Sequence, residues 1–115
     1  MLEKNYEQAR QNYQAFLEDP IENKELISAV KGGLAVVLEG EGQFKQAAET
    51  YLEAIEENPE YFNNDEFLLS AAQAYEAAGD TTAAIKIYKR FVKEYPESPK
   101  LKQAKERFYE LNKKG

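Results

Sequence analysis

Ten residues from Gly42 to Tyr51, followed by Ala54 and Pro59, find their counterparts in Gly79 to Tyr88, followed by Phe91 and Pro96. The matched pairs 42/79, 47/84, 51/88, 54/91 and 59/96 all lie 37 residues apart. A self-similarity with a period in the thirties constrains the fold more than any composition value does. Such units are helical hairpins that cannot bury their apolar faces alone and must stack on one another.

The rest of the chain fits that constraint. Apolar residues follow helix spacing almost throughout, and no stretch alternates with period two for long enough to propose a strand. A first helix is expected over roughly 3–18, with Tyr6, Ala9, Tyr13, Phe16 and Leu17 on one side. Asp19-Pro20 reads as a cap and first helical residue, opening a second helix to about Leu38. That helix is expected to bury Leu26, Ile27, Val30, Leu34, Ala35 and Leu38, and Gly40-Glu41-Gly42 breaks it. A third helix is expected over 43–57, stopped by Asn58-Pro59, and a fourth opens with a cap at Asn64 or Asp65. Gly79-Asp80 turns the chain into a fifth helix that closes at Tyr95-Pro96. Ser98-Pro99 restarts it as a sixth over 99–113, with Leu101, Ala104, Phe108 and Leu111 on one face.

Chemistry is thin by comparison. The chain has neither His nor Cys, which removes the commonest general base, the commonest metal ligands and every disulfide. Ser28-Ala29-Val30-Lys31 spells the Ser-x-x-Lys of some acyl-transfer enzymes, but the further motifs that chemistry needs are missing. Gly40–Lys45 is glycine-rich yet follows a helix and lacks a phosphate-loop pattern. No Asp-x-Asp-x-Asp-Gly loop organises calcium. No catalysis, cofactor or metal is therefore expected. The start of the chain lacks the layout of a signal peptide, and no apolar run approaches the roughly 20 residues a spanning helix needs. Compartment stays open between cytoplasm and bacterial periplasm.

The net charge of −6 is unevenly placed: residues 1–85 hold 17 acids and 5 bases, residues 86–115 hold 4 acids and 10 bases. Two readings stand: solvated helix surfaces and C-terminal helix ends, or a dipolar molecule able to join head to tail or to hold an acidic partner at its C-terminal end. Nucleic acid fits poorly, since most of the surface repels phosphate. Gly32-Gly33 inside a helix costs about 1 kcal/mol per residue relative to Ala. It implies close packing against the first or third helix, or the close approach of a bound peptide.

With Gly42-Gln43-Phe44, Ala47, Tyr51, Ala54 and Pro59, then Gly79-Asp80, Ala84, Tyr88, Phe91 and Pro96, the chain resembles the tetratricopeptide repeat family. Leu34, Ala35 and Leu38, and Ala71, Ala72 and Tyr75, carry the weaker first-helix part of its pattern. The resemblance implies an all-α right-handed superhelix of stacked antiparallel hairpins in one domain. Residues 1–20 form a half-repeat, 21–59 and 60–96 two full repeats, and 97–115 a closing helix. The end helices are then caps, or the chain is an excerpt of a longer array. Phe91–Pro99 resembles the bacterial envelope and assembly-factor repeats of the family.

The resemblance also implies a non-catalytic protein–protein interaction scaffold with a groove lined by first helices. Its pattern falls on Ala29, Gly32, Val36 and Glu39, and on Glu66, Leu69, Gln73 and Glu76. Such a groove is acidic with apolar spots, suited to a basic or apolar segment of a protein partner. It lacks the Lys, Arg and Asn with which some members clamp the C-terminal carboxylate of heat-shock chaperones. The alternative is a structural module that forms homo-oligomers through its end faces.

Overall fold

The computed structural model describes residues 2–18 and 23–114. Within them lie six helices: α1 (Leu2–Glu18), α2 (Lys24–Gly40), α3 (Phe44–Glu57), α4 (Asn64–Ala77), α5 (Thr81–Glu94) and α6 (Leu101–Lys114). Each packs chiefly on its sequence neighbours, giving a slab of 43 × 32 × 19 Å. This is the architecture of stacked helical hairpins, and no strand occurs among the described residues.

The two hairpin turns show why the period is visible in sequence. Gly42 and Gly79 adopt φ of 80° and 81°, where a side chain is strained. After each glycine the next amide reaches back into the preceding helix: Gln43 N–H to the Leu38 carbonyl at 2.8 Å, Asp80 N–H to that of Tyr75 at 2.9 Å. The glycine amides themselves bond to the carbonyls of Glu39 and Glu76, both at 3.0 Å. This pair of bonds satisfies the last carbonyls of a helix and sends the chain back antiparallel.

Small residues set the spacing between helices. Ala35, Ala47, Ala48, Ala71 and Ala84 are fully buried, so backbones approach toward the short end of the 8–10 Å packing range. Ser28, also fully buried, donates its hydroxyl to the Ala54 carbonyl at 3.0 Å and ties α2 to α3. Tyr51, Leu68, Tyr88 and Phe91 are large side chains buried in the same core.

Several boundaries differ from expectation. The Asp19-Pro20 start lies outside the described residues; α2 opens at Lys24, where the Asn23 side chain accepts from the Leu26 amide at 3.1 Å. Asn64 is not a cap but the first residue of α4. Its buried side chain donates instead to the Asn58 carbonyl at 2.8 Å. α6 begins at Leu101, because Ser98-Pro99-Lys100 first make a turn in which the Ser98 hydroxyl accepts from the Lys100 amide. Leu26, expected in the core, is 44% exposed, and Ile27 and Val30 are only half-buried.

α6 differs from α4. Adding 37 to Leu68, Ala72 and Tyr75 gives Lys105, Tyr109 and Asn112, all exposed on α6. Where α4 receives α5 on an apolar face with a small residue at the crossing, α6 shows solvent a polar face with a bulky one.

The paired glycines divide their work. A Cβ on Gly33 would lie 2.6 Å from the Tyr13 hydroxyl of α1, which matches the expected close packing. A Cβ on Gly32 would lie 2.5 Å from the Phe67 ring of α4, an element not anticipated there. Phe67 stacks on Tyr61 at 5.7 Å and meets Tyr51 at 6.0 Å, so one aromatic ring closes the seam between successive first helices. No peptide backbone has access to Gly32.

Candidate interaction groove

The eight expected groove residues form four rows, each a pair 37 apart. Ala29 and Glu66 make the first row; Ala29 is exposed and Glu66 half-buried. Gly32 and Leu69 make the second, and both are buried: Phe67 covers the glycine, and Leu69 joins the core at 3% exposure. Val36 and Gln73 make the third row, both exposed, Val36 at 55%. Glu39 and Glu76 make the fourth, both half-buried. The accessible surface is therefore narrower than the sequence pattern implies. Of the two expected apolar spots, Val36 is open to solvent and Leu69 is not.

The fourth row has a construction that repeats. Glu39 accepts a short hydrogen bond from the Tyr51 hydroxyl, and Glu76 accepts one from Tyr88 at 2.5 Å. Both tyrosines are almost fully buried and come from the second helix of the same hairpin, so each carboxylate is held from behind. Burial, and then the carboxylate each tyrosine bonds, push both phenols well above their ordinary value of 10.0. The phenol thus stays a donor over the whole neutral range.

On Glu76 the opposite oxygen is also occupied. Arg107 of α6 reaches Oε1 through Nε at 2.7 Å and Nη2 at 2.5 Å, while Tyr88 holds Oε2. Burial alone raises this carboxyl, but the bonds from Arg107 and Tyr88 outweigh it and hold it below its ordinary value of 4.5. The stability that Glu76 contributes is thus fully present above about pH 4.5 and is lost as pH falls through the lower folded value. Glu76→Gln is expected to flatten the acid limb of the urea midpoint plotted against pH below 4.5. An unchanged acid limb contradicts the assignment. The effect is modest, because the pair is partly exposed to solvent.

Around this pair Gln73, Glu76 and Tyr88 face Gln103, Glu106, Arg107 and Glu110 across a recess of about 260 Å³ between α4 and α6. In the turn before α6, Lys100 reaches Glu66 at 3.1 Å and the Ser98 hydroxyl donates to Asp65 at 2.8 Å. Sequence reasoning missed these cations. The signal was present in the closing helix, since α6 follows α5 as α4 follows α3 and must lie beside α4 as a first helix does. Two of the three groove carboxylates, Glu66 and Glu76, are thereby neutralised within the chain.

Elsewhere, among the described residues, no group of three or more His, Cys, Asp or Glu side chains is placed to hold a metal ion. No described helix is long and apolar enough to cross a membrane. Beside α1, an apolar recess of about 360 Å³ is lined by Ala9, Asn12, Tyr13, Phe16 and Val30, with Phe16 40% exposed. A family model described as tetratricopeptide repeat matches residues 38–108, and a second of the same description matches residues 4–62. No curated relative matches the chain.

Proposed function

The chain belongs to the tetratricopeptide repeat family, and from that premise we propose that it holds an extended protein segment along α2 and α4. Repeats of this family are generally protein–protein interaction modules, typically without catalysis. One observation supports the groove above other surfaces. Ala29, Val36 and Gln73 stand exposed beside two carboxylates, each braced by a buried tyrosine. A surface already rigid before binding loses little entropy when a segment docks. Main-chain groups of the segment meet Gln73, its apolar side chains meet Val36, and a basic side chain meets Glu39, the carboxylate without an internal cation among the described residues.

The test is capture from native lysate by wild type and by a Val36→Arg/Gln73→Arg variant, both exposed positions that leave the core intact. Proteins retained by wild type and lost by the variant support the groove. Equal recovery by both overturns it. A second reading, self-association, is favoured by the apolar recess of α1 with its exposed Phe16 and by Leu26 nearby in sequence on α2. Retention by wild type of its own chain alone would support that one instead.

A further inference from the structure

Three residues define the environment of Glu76: Tyr88 behind it, Arg107 in front of it, and Gln73 one turn before it on α4. Moving back by one period of 37 gives Glu39, Tyr51, Ser70 and Val36. The tyrosine bond is reproduced, since Tyr51 donates to Glu39 Oε1. Ser70, the counterpart of Arg107, is uncharged. The cation is not reproduced. Among the described residues nothing donates to Glu39 Oε2 and no ion pair includes Glu39, while the nearest α2 base, Lys31, is held by Glu57 at 3.0 Å.

We infer that Glu39 receives a guanidinium or ammonium group from the bound segment, in the place that Arg107 occupies on Glu76. The half-buried carboxylate is oriented from behind, and its second oxygen is left without a donor. A charge-assisted bond to a basic side chain completes it. Val36, one turn away on the same face, takes the apolar neighbour of that side chain. The partner is thus a segment in which Arg or Lys is flanked by an apolar residue. Arg107 acts as a built-in copy of the ligand at the second unit, which confines the cation subsite to the first. This inference rests on the groove reading above.

The experiment uses the full chain and two fluorescein-labelled peptides, Gly-Leu-Arg-Leu-Gly amide and its counterpart with neutral citrulline in place of arginine. Fluorescence anisotropy is expected to show wild type preferring the arginine peptide by roughly tenfold. Glu39→Gln abolishes the preference, and so does Ser70→Arg, which installs the internal cation one period early. Arg107→Ser frees Glu76 and enlarges the preference. Glu39→Gln is nearly isosteric, so the result does not depend on Ser70→Arg folding. Val36→Arg weakens both peptides if the groove is the site. Weakening by Val36→Arg with the preference intact in Glu39→Gln overturns the subsite and leaves the groove standing. No binding by wild type, equal binding of both peptides, or indifference to Val36→Arg overturns both.

Discussion

Phe91→Ala is expected to lower the unfolding free energy by about 3–5 kcal/mol, read from urea or thermal unfolding followed by circular dichroism. Phe91 is fully buried on α5 and its ring lies 5.6 Å from that of Tyr95. Its counterpart one repeat earlier is Ala54, so the second hairpin fills with an aromatic ring the volume that the first fills otherwise. Truncation leaves a cavity that helices held at close crossings cannot collapse. A domain of this size has a total stability of about 6–17 kcal/mol, so the loss is a large share of it. Because each helix packs chiefly on its sequence neighbours, the damage concentrates at α5 and α6, whose amides lose exchange protection before those of α3. A loss below about 1 kcal/mol would contradict the packing described.

Tyr88 separates packing from carboxylate positioning. Tyr88→Ala is expected to cost about 3–5 kcal/mol, since a ring 1% exposed disappears from between α4 and α5. Tyr88→Phe keeps the ring and removes only the bond to Glu76, at about 1–2 kcal/mol. The hydroxyl also leaves a signature in alkaline solution. Because the folded phenol is held above its ordinary value of 10.0, the stability it contributes is present below that pH and is lost as pH rises beyond it. Wild type should therefore lose more stability than Tyr88→Phe as pH rises beyond 10. Parallel curves for the two proteins would contradict the burial of the hydroxyl and its bond to Glu76 together.

Much of this architecture is legible in the residues themselves, and particular positions show why. Gly42 and Gly79 announce their turns because only glycine sits comfortably at φ near +80°. Ala47 and Ala84 announce the crossings because a small, fully buried residue lets two helix backbones approach closely. The groove was less legible. The family pattern treats Gly32 and Leu69 as lining residues, but Phe67 folds over one and the core takes the other. Which side of a first helix stays open depends on how closely its neighbouring first helix lies, and a Phe three residues into α4 settles that through tertiary packing.

Charge was misread for a similar reason. Counting acids along α2 and α4 suggests an acidic groove with apolar spots, whereas Lys100, just before α6, and Arg107 within it cross to quench Glu66 and Glu76. Their sequence distance, 31 residues from Arg107 to Glu76, makes the pairing invisible to local patterns. Once the period of 37 is applied to side-chain bonds, the asymmetry appears: two carboxylates braced by tyrosines, of which Glu76 is paired with a cation and Glu39, among the described residues, is not.

The most direct measurement is chemical-shift mapping of the ¹⁵N-labelled chain titrated with the arginine peptide. The groove account predicts saturable shifts concentrated at Ala29, Val36, Glu39, Ser70 and Gln73, with α1 and the outer faces of α3 and α5 unmoved. Saturable shifts centred on Ala9, Asn12 and Phe16 of α1, or scattered over the acidic surface without saturation, would contradict it.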